Sequence, residues 1–284
     1  MKTRIITAIV AILILLPVLI FSHTALFPIA MAICSVVAIY EMSACIGVKK
    51  EWAFTVPVYL IATGMPFLIR YCANPNTVRQ CVTALLCVAL MYFLALMTFS
   101  HGKYKLADVA IWVMTALYIL VGFNAILMVR DYEAAGKFVY LMIFIGAWVT
   151  DTFAYFCGML LGKGGKHKLI PDVSPKKTVE GSIGGIVFCV LSMLLFGWII
   201  EQIDIQWKAD YLLLALAGLV ISVVSQVGDL CMSFIKRTYG IKDYGKLFPG
   251  HGGVLDRFDS ILAVASILAV FCSYFNFFQD MIRA

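Results

Sequence analysis

Charged and polar residues concentrate in one short segment of an otherwise apolar chain, between Ser233 and Asp259. The segment reads SFIKRTYGIKDYGKLFPGHGGVLDRFD and lies between two long apolar stretches. Charged side chains are costly in the bilayer, so a segment that only had to span lipid would not carry such a cluster. We therefore predict an active site here, and its candidate residues are Ser233, Lys236, Arg237, Lys242, Asp243, His251, Asp256, Arg257 and Asp259.

The acids in and before this segment are typical of a site for a metal ion and phosphates. Asp229 lies about 10 Å before Lys236 along a helix axis, on the same face as Ser225 and Ser233. A carboxylate at that depth needs a partner or a wet cavity. Asp229 and Asp256 are expected on adjacent antiparallel helices. Together they would suit Mg²⁺, which takes a few carboxylates plus phosphate oxygens and water.

Several of these residues also have a purely structural interpretation. Asp229 could pair with a neighbouring lysine, and Asp259 could serve only the dipole at the start of its helix. His251 could be a phosphate donor, a proton shuttle or only a hydrogen-bonding residue of the turn. Glu41, in the second apolar stretch, stays unassigned, because it could belong to the cavity or pair with a lysine at the membrane surface.

A second polar region follows the sixth apolar stretch. Asp151 and Tyr155 lie one turn apart there, and we expect Asp151 to face the same cavity as Asp229. The loop that follows begins with Gly162–Lys166, GKGGK, which resembles a phosphate cradle but lacks the GK[ST] of a Walker A motif. The next run, SPKKTVEGS, could bind phosphates or lie over anionic headgroups. Its candidate residues are Ser174, Lys176, Lys177 and Thr178.

These residue types together predict a membrane-embedded pocket that opens to the cytoplasm. Carboxylates would hold a divalent cation, while lysines and arginines would neutralise phosphates. Phosphoryl or nucleotidyl transfer needs mainly positioning and charge neutralisation. No Ser-His-Asp or Cys-His nucleophile arrangement is evident in the sequence, so we expect the substrate itself to be the nucleophile.

The rest of the chain supplies membrane helices to position these residues. Of its 284 residues, 63% are hydrophobic and only 13% are charged. A helix needs about 20 mainly apolar residues to cross the hydrocarbon core, and lipid leaves no backbone group unpaired. We predict a polytopic, all-α membrane protein without a sizeable soluble domain. Its nine expected helices are 5–21, 25–48, 54–71, 82–99, 106–129, 138–161, 183–200, 211–235 and 255–278.

The distribution of lysine and arginine predicts the orientation. With the N-terminus in the cytoplasm and the C-terminus opposite, sixteen of the 22 basic residues lie on the cytoplasmic side. The first stretch follows Lys2 and Arg4 but has no small-residue cleavage site, so we interpret it as a retained span. We expect a multi-pass protein of the cytoplasmic (inner) membrane with its site facing the cytoplasm. Residues 1–135 would be a five-helix scaffold, and 136–284 a four-helix catalytic region with two cytoplasmic loops.

The segment from Ser233 to Asp259 resembles, over its full length, the signature of the bacterial phosphatidate cytidylyltransferase family, also called CDP-diacylglycerol synthases. SQVGD at 225–229 resembles the family's S-x-x-G-D, and DTFAY at 151–155 resembles its D-[ST]-x-A-Y. SPKKTVEG at 174–181 is similar to its S-P-K-K-T-x-E-G. One departure is Cys231-Met232, where bacterial members commonly carry an acid before the serine, so a role for that acid is in doubt here.

The resemblance implies that CTP and phosphatidic acid, with Mg²⁺, give CDP-diacylglycerol and pyrophosphate in phospholipid biosynthesis. By motif, Asp229 and Asp256 would hold the metal, and K⁺ is a candidate second cation. The family also suggests a homodimer among membrane lipids, and no nucleic-acid partner is expected. Six cations would neutralise the phosphates, namely Lys176, Lys177, Lys236, Arg237, Lys242 and Arg257.

Two other functions remain compatible with the residue chemistry. A CTP-dependent polyprenol or lipid kinase would transfer the γ-phosphoryl group instead, and the signature favours attack at the α-phosphorus. An ion-coupled transporter would also bury acids in kinked helices, but inverted repeats and midplane sites would be expected. The D-G-x-x-A-R motif of CDP-alcohol phosphotransferases is not found in the sequence.

Overall fold

A computed structural model describes residues 2–100, 103–162 and 167–280. The described residues form nine helices of 18 residues or more, one short helical turn and four short strands. The helices are α1 (Lys2–Ile20), α2 (Leu26–Ile46), α3 (Trp52–Tyr71), α4 (Pro75–Phe99), α5 (Leu106–Arg130), α6 (Gly136–Val139), α7 (Leu141–Leu161), α8 (Val179–Ile203), α9 (Tyr211–Thr238) and α10 (Leu255–Cys272). The strands are β1 (Lys168–Ile170), β2 (Ser174–Thr178), β3 (Trp207–Ala209) and β4 (Phe278–Asp280).

The helices confirm the prediction of an all-α, polytopic membrane protein. In the part of the chain that is described, seven helical segments are long and apolar enough to cross a membrane, with α6 and α7 counted as one. The segments outside this set are α1 and α10, and α10 carries Asp256, Arg257 and Asp259 among its first five residues. The count of nine spans and the sides of the two termini stay predictions.

The expectation that every apolar window is helical throughout is wrong at the last window. Helix α10 ends at Cys272, and the chain then turns so that β4 pairs antiparallel with β3. Phe278 lies opposite Ala209 in this ladder, and its ring packs against Phe138 and Phe196. An apolar residue suits a packed strand as well as a helix, so hydropathy alone cannot locate this boundary.

Two compact units make up the chain, and each is discontinuous in sequence. Unit 1 comprises residues 1–127 and 241–257, and unit 2 comprises residues 128–240 and 258–284. The polar segment found in the sequence is therefore divided, because 241–257 belongs to unit 1 while its two ends belong to unit 2.

Unit 1 is built around α2 and α3, which pack along each other. Aromatic residues complete its core. The Trp112 indole N–H donates to the Phe54 carbonyl oxygen at 3.2 Å. The rings of Phe54 and Tyr104 meet edge to face with centroids 4.6 Å apart. Helix α2 ends at Gly47, whose φ of 89° is readily available only to glycine.

Small residues allow α7, α8 and α9 of unit 2 to approach closely, as is typical of membrane helices. A Cβ atom added at Gly218 would lie 2.8 Å from the Val190 Cα atom. One added at Gly185 would lie 2.9 Å from the Thr150 carbonyl oxygen. The Thr150 hydroxyl also donates to the Ser222 hydroxyl oxygen at 3.0 Å, so α7 and α9 share a buried hydrogen bond.

Substitution of Gly218 tests this close packing. We expect Gly218→Ala to lower the free energy of unfolding by about 1–3 kcal/mol, because α8 must move to admit the methyl group. Gly64→Ala is the matched control, since nothing lies within 4 Å of a Cβ atom added there. Thermal unfolding in detergent measures both variants, and equal midpoints would contradict the packing argument.

Candidate active site

A cavity of about 530 Å³ in unit 2 contains many of the residues singled out in the sequence. It lies between the second half of α7, strand β2, the start of α8 and the middle of α9. Both Asp151 and Asp229 line it. The other lining residues include Tyr155, Lys168, Lys176, Lys177, Thr178, Ser182 and Gln226.

Asp229 has a cationic partner in the cavity wall. The Lys177 ammonium group lies 2.5 Å from Asp229 Oδ2, and the Ser233 hydroxyl donates to Oδ1 at 3.4 Å. The Lys177 and Asp229 side chains keep 21% and 25% of their surface exposed, while the Lys177 Nζ atom itself is buried against the carboxylate. The lysine pairing that the sequence left open is therefore present, at the wall of the cavity.

Two further carboxylates lie near this ion pair. Lys236 Nζ lies 3.8 Å from Asp259 Oδ2, and the Ser260 backbone N–H donates to Asp259 Oδ1 at 2.8 Å. The Ser260 hydroxyl donates to Asp151 Oδ2 at 3.5 Å. Asp151, Asp229 and Asp259 are close enough to interact electrostatically with one another. Together they form an acidic centre that added positive charge would stabilise.

Strand β2 and the start of α8 place the lysines. Successive residues of a strand point to opposite faces, so Lys177 can pair with Asp229 while Lys176 stays exposed. Thr178 follows as the N-cap of α8, and its hydroxyl oxygen accepts the Gly181 backbone N–H at 3.1 Å. A Cβ atom added at Gly158 of α7 would lie 2.9 Å from this hydroxyl oxygen. The cap therefore also determines how closely α7 approaches.

Three further predicted residues of unit 2, Ser174, Ser225 and Arg237, are not among the residues that line this cavity. Ser174 begins β2, and Arg237 is exposed at the end of α9. The Ser225 hydroxyl is buried and has no hydrogen-bond partner among the described residues. Of the GKGGK loop, Lys163–Lys166 lie outside the described residues.

The structure also adds cavity residues that were not candidates. The Ser182 hydroxyl donates to Gln226 Oε1 at 2.5 Å, and the Gln226 amide nitrogen lies 3.5 Å from the Ser222 hydroxyl oxygen. With the hydrogen bond between Thr150 and Ser222, these groups form a buried polar chain that ends at the cavity. An amide within the apolar α9 is the signal that could have identified Gln226 from sequence.

A second cleft, of about 690 Å³, lies in unit 1 and is formed by residues of 241–257. Its lining brings together three basic residues and a histidine from the predicted segment. Asp243 and several glycines also line it. The basic residues and histidine are Lys242, Lys246, His251 and Arg257.

A tight turn gives this cleft its shape. The His251 backbone N–H donates to the Phe248 carbonyl oxygen at 2.8 Å, which closes a turn over Pro249 and Gly250. Gly250 has a φ of 78°, and proline followed by glycine is the typical pair for such a turn. His251 Nδ1 is buried and has no hydrogen-bond partner among the described residues. The backbone N–H of His251 closes the turn, so hydrogen bonding by its ring Nδ1 atom is not used for that purpose.

Asp256 is buried beneath the same loop. Its Oδ2 atom accepts the backbone N–H groups of Tyr244 and Gly253, at 2.8 and 2.9 Å. Gly252 has a φ of 84°, and a Cβ atom added there would lie 2.6 Å from this oxygen. One oxygen of the predicted metal ligand is thus committed to closing the loop. A metal role would fall to the other oxygen.

The donor set suits a cation that takes part of its coordination from substrate. In residues 2–100, 103–162 and 167–280, no group of three or more His, Cys, Asp or Glu side chains is placed to hold a metal ion. Mg²⁺ often uses only one or two protein carboxylates, with phosphate oxygens and water completing its shell. Asp229 fits this requirement, because its oxygens are hard ligands at the wall of a cavity.

Comparison with known proteins gives consistent matches along the chain. The sequence profile of the cytidylyltransferase family matches residues 2–275. A protein from Staphylococcus haemolyticus named phosphatidate cytidylyltransferase is 31% identical over 270 residues, covering 95% of this chain and 98% of its own. Proteins of the same name from Staphylococcus saprophyticus and Staphylococcus aureus are 33% and 31% identical, with the same coverage.

A double-mutant cycle tests the ion pair between Lys177 and Asp229. We expect Lys177→Met to destabilise the protein and Asp229→Asn to relieve much of that loss, because the aspartate then needs no counter-charge. The coupling free energy should be about 1–3 kcal/mol, measured by unfolding in detergent without substrate. The exposed pair of Lys103 and Glu51 is the matched control and should couple more weakly. Equal coupling in the two cycles would contradict the assignment.

Proposed function

Because the chain belongs to the cytidylyltransferase family, we propose that it transfers CMP from CTP to phosphatidic acid, giving CDP-diacylglycerol and pyrophosphate. It is a nucleotidyltransferase and an integral membrane protein. The observation that carries the reaction is the match over 95% of the chain to relatives named phosphatidate cytidylyltransferase. The sequence signature between Ser233 and Asp259 pointed to the same family.

The reaction joins two anions, so neutralisation of charge is the main requirement. An oxygen of the phosphatidic acid phosphate forms a bond to the α-phosphorus of CTP. The bond from that phosphorus to the bridging oxygen breaks, and pyrophosphate leaves. Both cationic cavities support this chemistry. In unit 1, Lys242, Lys246 and Arg257 line the cleft, and in unit 2, Lys176 and Lys177 line the cavity.

The residues of unit 2 would orient the reacting groups and protect them from water. Lys177 and Lys236 offer positive charge, each beside an aspartate that keeps it in place. Because these cations are positioned before substrate arrives, little reorganisation is needed as charge develops in the transition state. A site shielded from bulk water would strengthen these electrostatic interactions.

We propose that Mg²⁺ is held by Asp229 and Asp256, with K⁺ as a candidate second cation. When bound at these residues, Mg²⁺ would supply positive charge that neutralises the phosphates. The proposal is supported by the cavity position of Asp229 and by the signature that contains Asp256. The two aspartates belong to different units. The homodimer stays a prediction of the family resemblance.

The reaction can be tested with the purified full-length protein. Given CTP, Mg²⁺ and phosphatidic acid in detergent micelles, it should form a lipid that carries CMP and release pyrophosphate. Thin-layer chromatography with CTP labelled at the α-phosphorus would detect the lipid product. Release of CDP with a newly phosphorylated alcohol would instead identify a lipid kinase, and formation of neither product would contradict the proposal.

The same assay tests the metal ligands. Asp229→Asn and Asp256→Asn should each lower turnover by at least about 10²-fold, because neutral amides bind Mg²⁺ poorly and leave phosphate charge uncompensated. Asp108→Asn, an exposed change in α5, is the matched control and should retain activity. Near-full activity of either site variant, in protein that still elutes as a folded particle, would refute that ligand assignment.

We further propose that both cavities face the cytoplasm, where CTP is available. The excess of basic residues in the connections assigned to that side supports this orientation. Alkaline phosphatase fused after Lys208 should be active, because that connection is expected outside the cytoplasm, whereas a fusion after Lys105 should be inactive. The reverse pattern would invert the proposed orientation.

A further inference from the structure

Glu41 is a buried acid of α2 that the sequence left unassigned. The residue is 4% exposed, and its two carboxylate oxygens accept backbone N–H groups from a distant part of the chain. Val254 donates to Oε1 at 3.0 Å, and Leu255 donates to Oε2 at 2.8 Å. All three residues belong to unit 1. Both carboxylate oxygens of Glu41 therefore accept hydrogen bonds from segment 241–257, which lines the cationic cleft of unit 1.

The two N–H groups lie at the start of α10, where a helix needs external acceptors. The first N–H groups of an α-helix have no partner within the helix, and a side chain close in sequence usually supplies one. Here the acceptor comes from another helix and carries a negative charge, which the helix dipole favours at this end. Leu255 is the first residue of α10 and directly precedes Asp256. Glu41 therefore acts as the N-terminal cap of α10.

Two glycines of the loop lie directly against the same carboxylate. A Cβ atom added at Gly245 or Gly253 would overlap the Glu41 carboxylate group. Neither glycine has a positive φ, so backbone conformation alone does not explain them. The Gly253 Cα atom lies 3.0 Å from where a Gly245 Cβ atom would be. The loop backbone therefore packs directly against the Glu41 carboxylate at two places, Gly245 and Gly253.

Glu41 and Asp256 divide three consecutive N–H groups between them. Asp256 Oδ2 takes the N–H of Gly253, while Glu41 takes those of Val254 and Leu255. We propose that Glu41 is a positioning residue, which holds Asp256 and the cationic cleft in their binding geometry. Among the described residues, Glu41 forms no hydrogen bond or ion pair with a charged side chain of the cleft, and it acts through the loop backbone. The conformational claim stands independently of the reaction, whereas its effect on turnover rests on the proposed function.

Limited proteolysis tests the conformational claim directly. Lys242 and Lys246 are exposed trypsin sites in the loop. Glu41→Gln places an amide NH₂ group against one of the two backbone donors, so the loop should open more often. We expect cleavage after these lysines to be about tenfold faster in Glu41→Gln, with peptides identified by mass spectrometry. Glu133→Gln, an exposed change in unit 2, should leave the rate unchanged.

A double substitution separates a specific contact from general loss of stability. Gly253→Ala should accelerate cleavage strongly in the natural background, because the methyl group meets Glu41. In Glu41→Ala the same substitution should add little, since the obstructing carboxylate is gone. Gly64→Ala, with open space around its added methyl group, is the control for the glycine change. Independent, multiplicative effects of Gly253→Ala and Glu41→Ala would overturn the contact.

Kinetics then tests the role in catalysis. Since Glu41 shapes the cleft without touching substrate, Glu41→Gln should raise the KM for CTP about tenfold and lower kcat less. Glu41→Asp keeps the charge but is one methylene shorter, so it should be intermediate, and it serves as the test variant if Glu41→Gln does not fold. Unchanged proteolysis and an unchanged KM would refute the positioning role. Altered proteolysis in a protein whose natural form makes no CDP-lipid would refute only the proposed function.

Discussion

A carboxylate among apolar helices is stable only when donors or cations surround it, because its desolvation is costly. This requirement explains the organisation of both units. Asp229 is paired with Lys177, and Asp259 lies near Lys236, so in unit 2 the compensation comes from side chains. The lysines of the motifs supply these cations, and the glycines leave room for donors to approach the acids.

Unit 1 meets the same requirement with backbone N–H groups. Asp256 and Glu41 each accept two of them. This difference has a chemical consequence. A metal ion or phosphate can exchange with a mobile ammonium group, whereas backbone donors are fixed by the chain. In unit 2 a ligand cation could therefore replace the lysine beside Asp229, whereas in unit 1 the hydrogen bonds to Glu41 and to Asp256 Oδ2 maintain the shape of the loop.

The sequence predicted the helices well, because lipid restricts a spanning segment to a period and length that hydropathy detects. It also located the polar residues of both cavities, since charge is conspicuous in an apolar chain. The partner of Glu41 was not predictable, because backbone N–H groups leave no mark in the residue types and Val254 lies 213 positions away. The strand at Phe278 was missed because its apolar side chain fits either structure. The pairing of Lys177 with Asp229 was not predictable either, because the two residues lie far apart in sequence and only the fold brings their side chains together.

The long sequence separation between Glu41 and its donors has a consequence for synthesis. Helix α2 emerges from the ribosome and enters the membrane more than 200 residues before Val254 and Leu255 exist. During that interval its carboxylate must be solvated by water, headgroups or the insertion machinery. Unit 1 is therefore completed only after most of unit 2 has been made. The arrival of the last helix is then the event that satisfies an acid buried near the beginning of the chain.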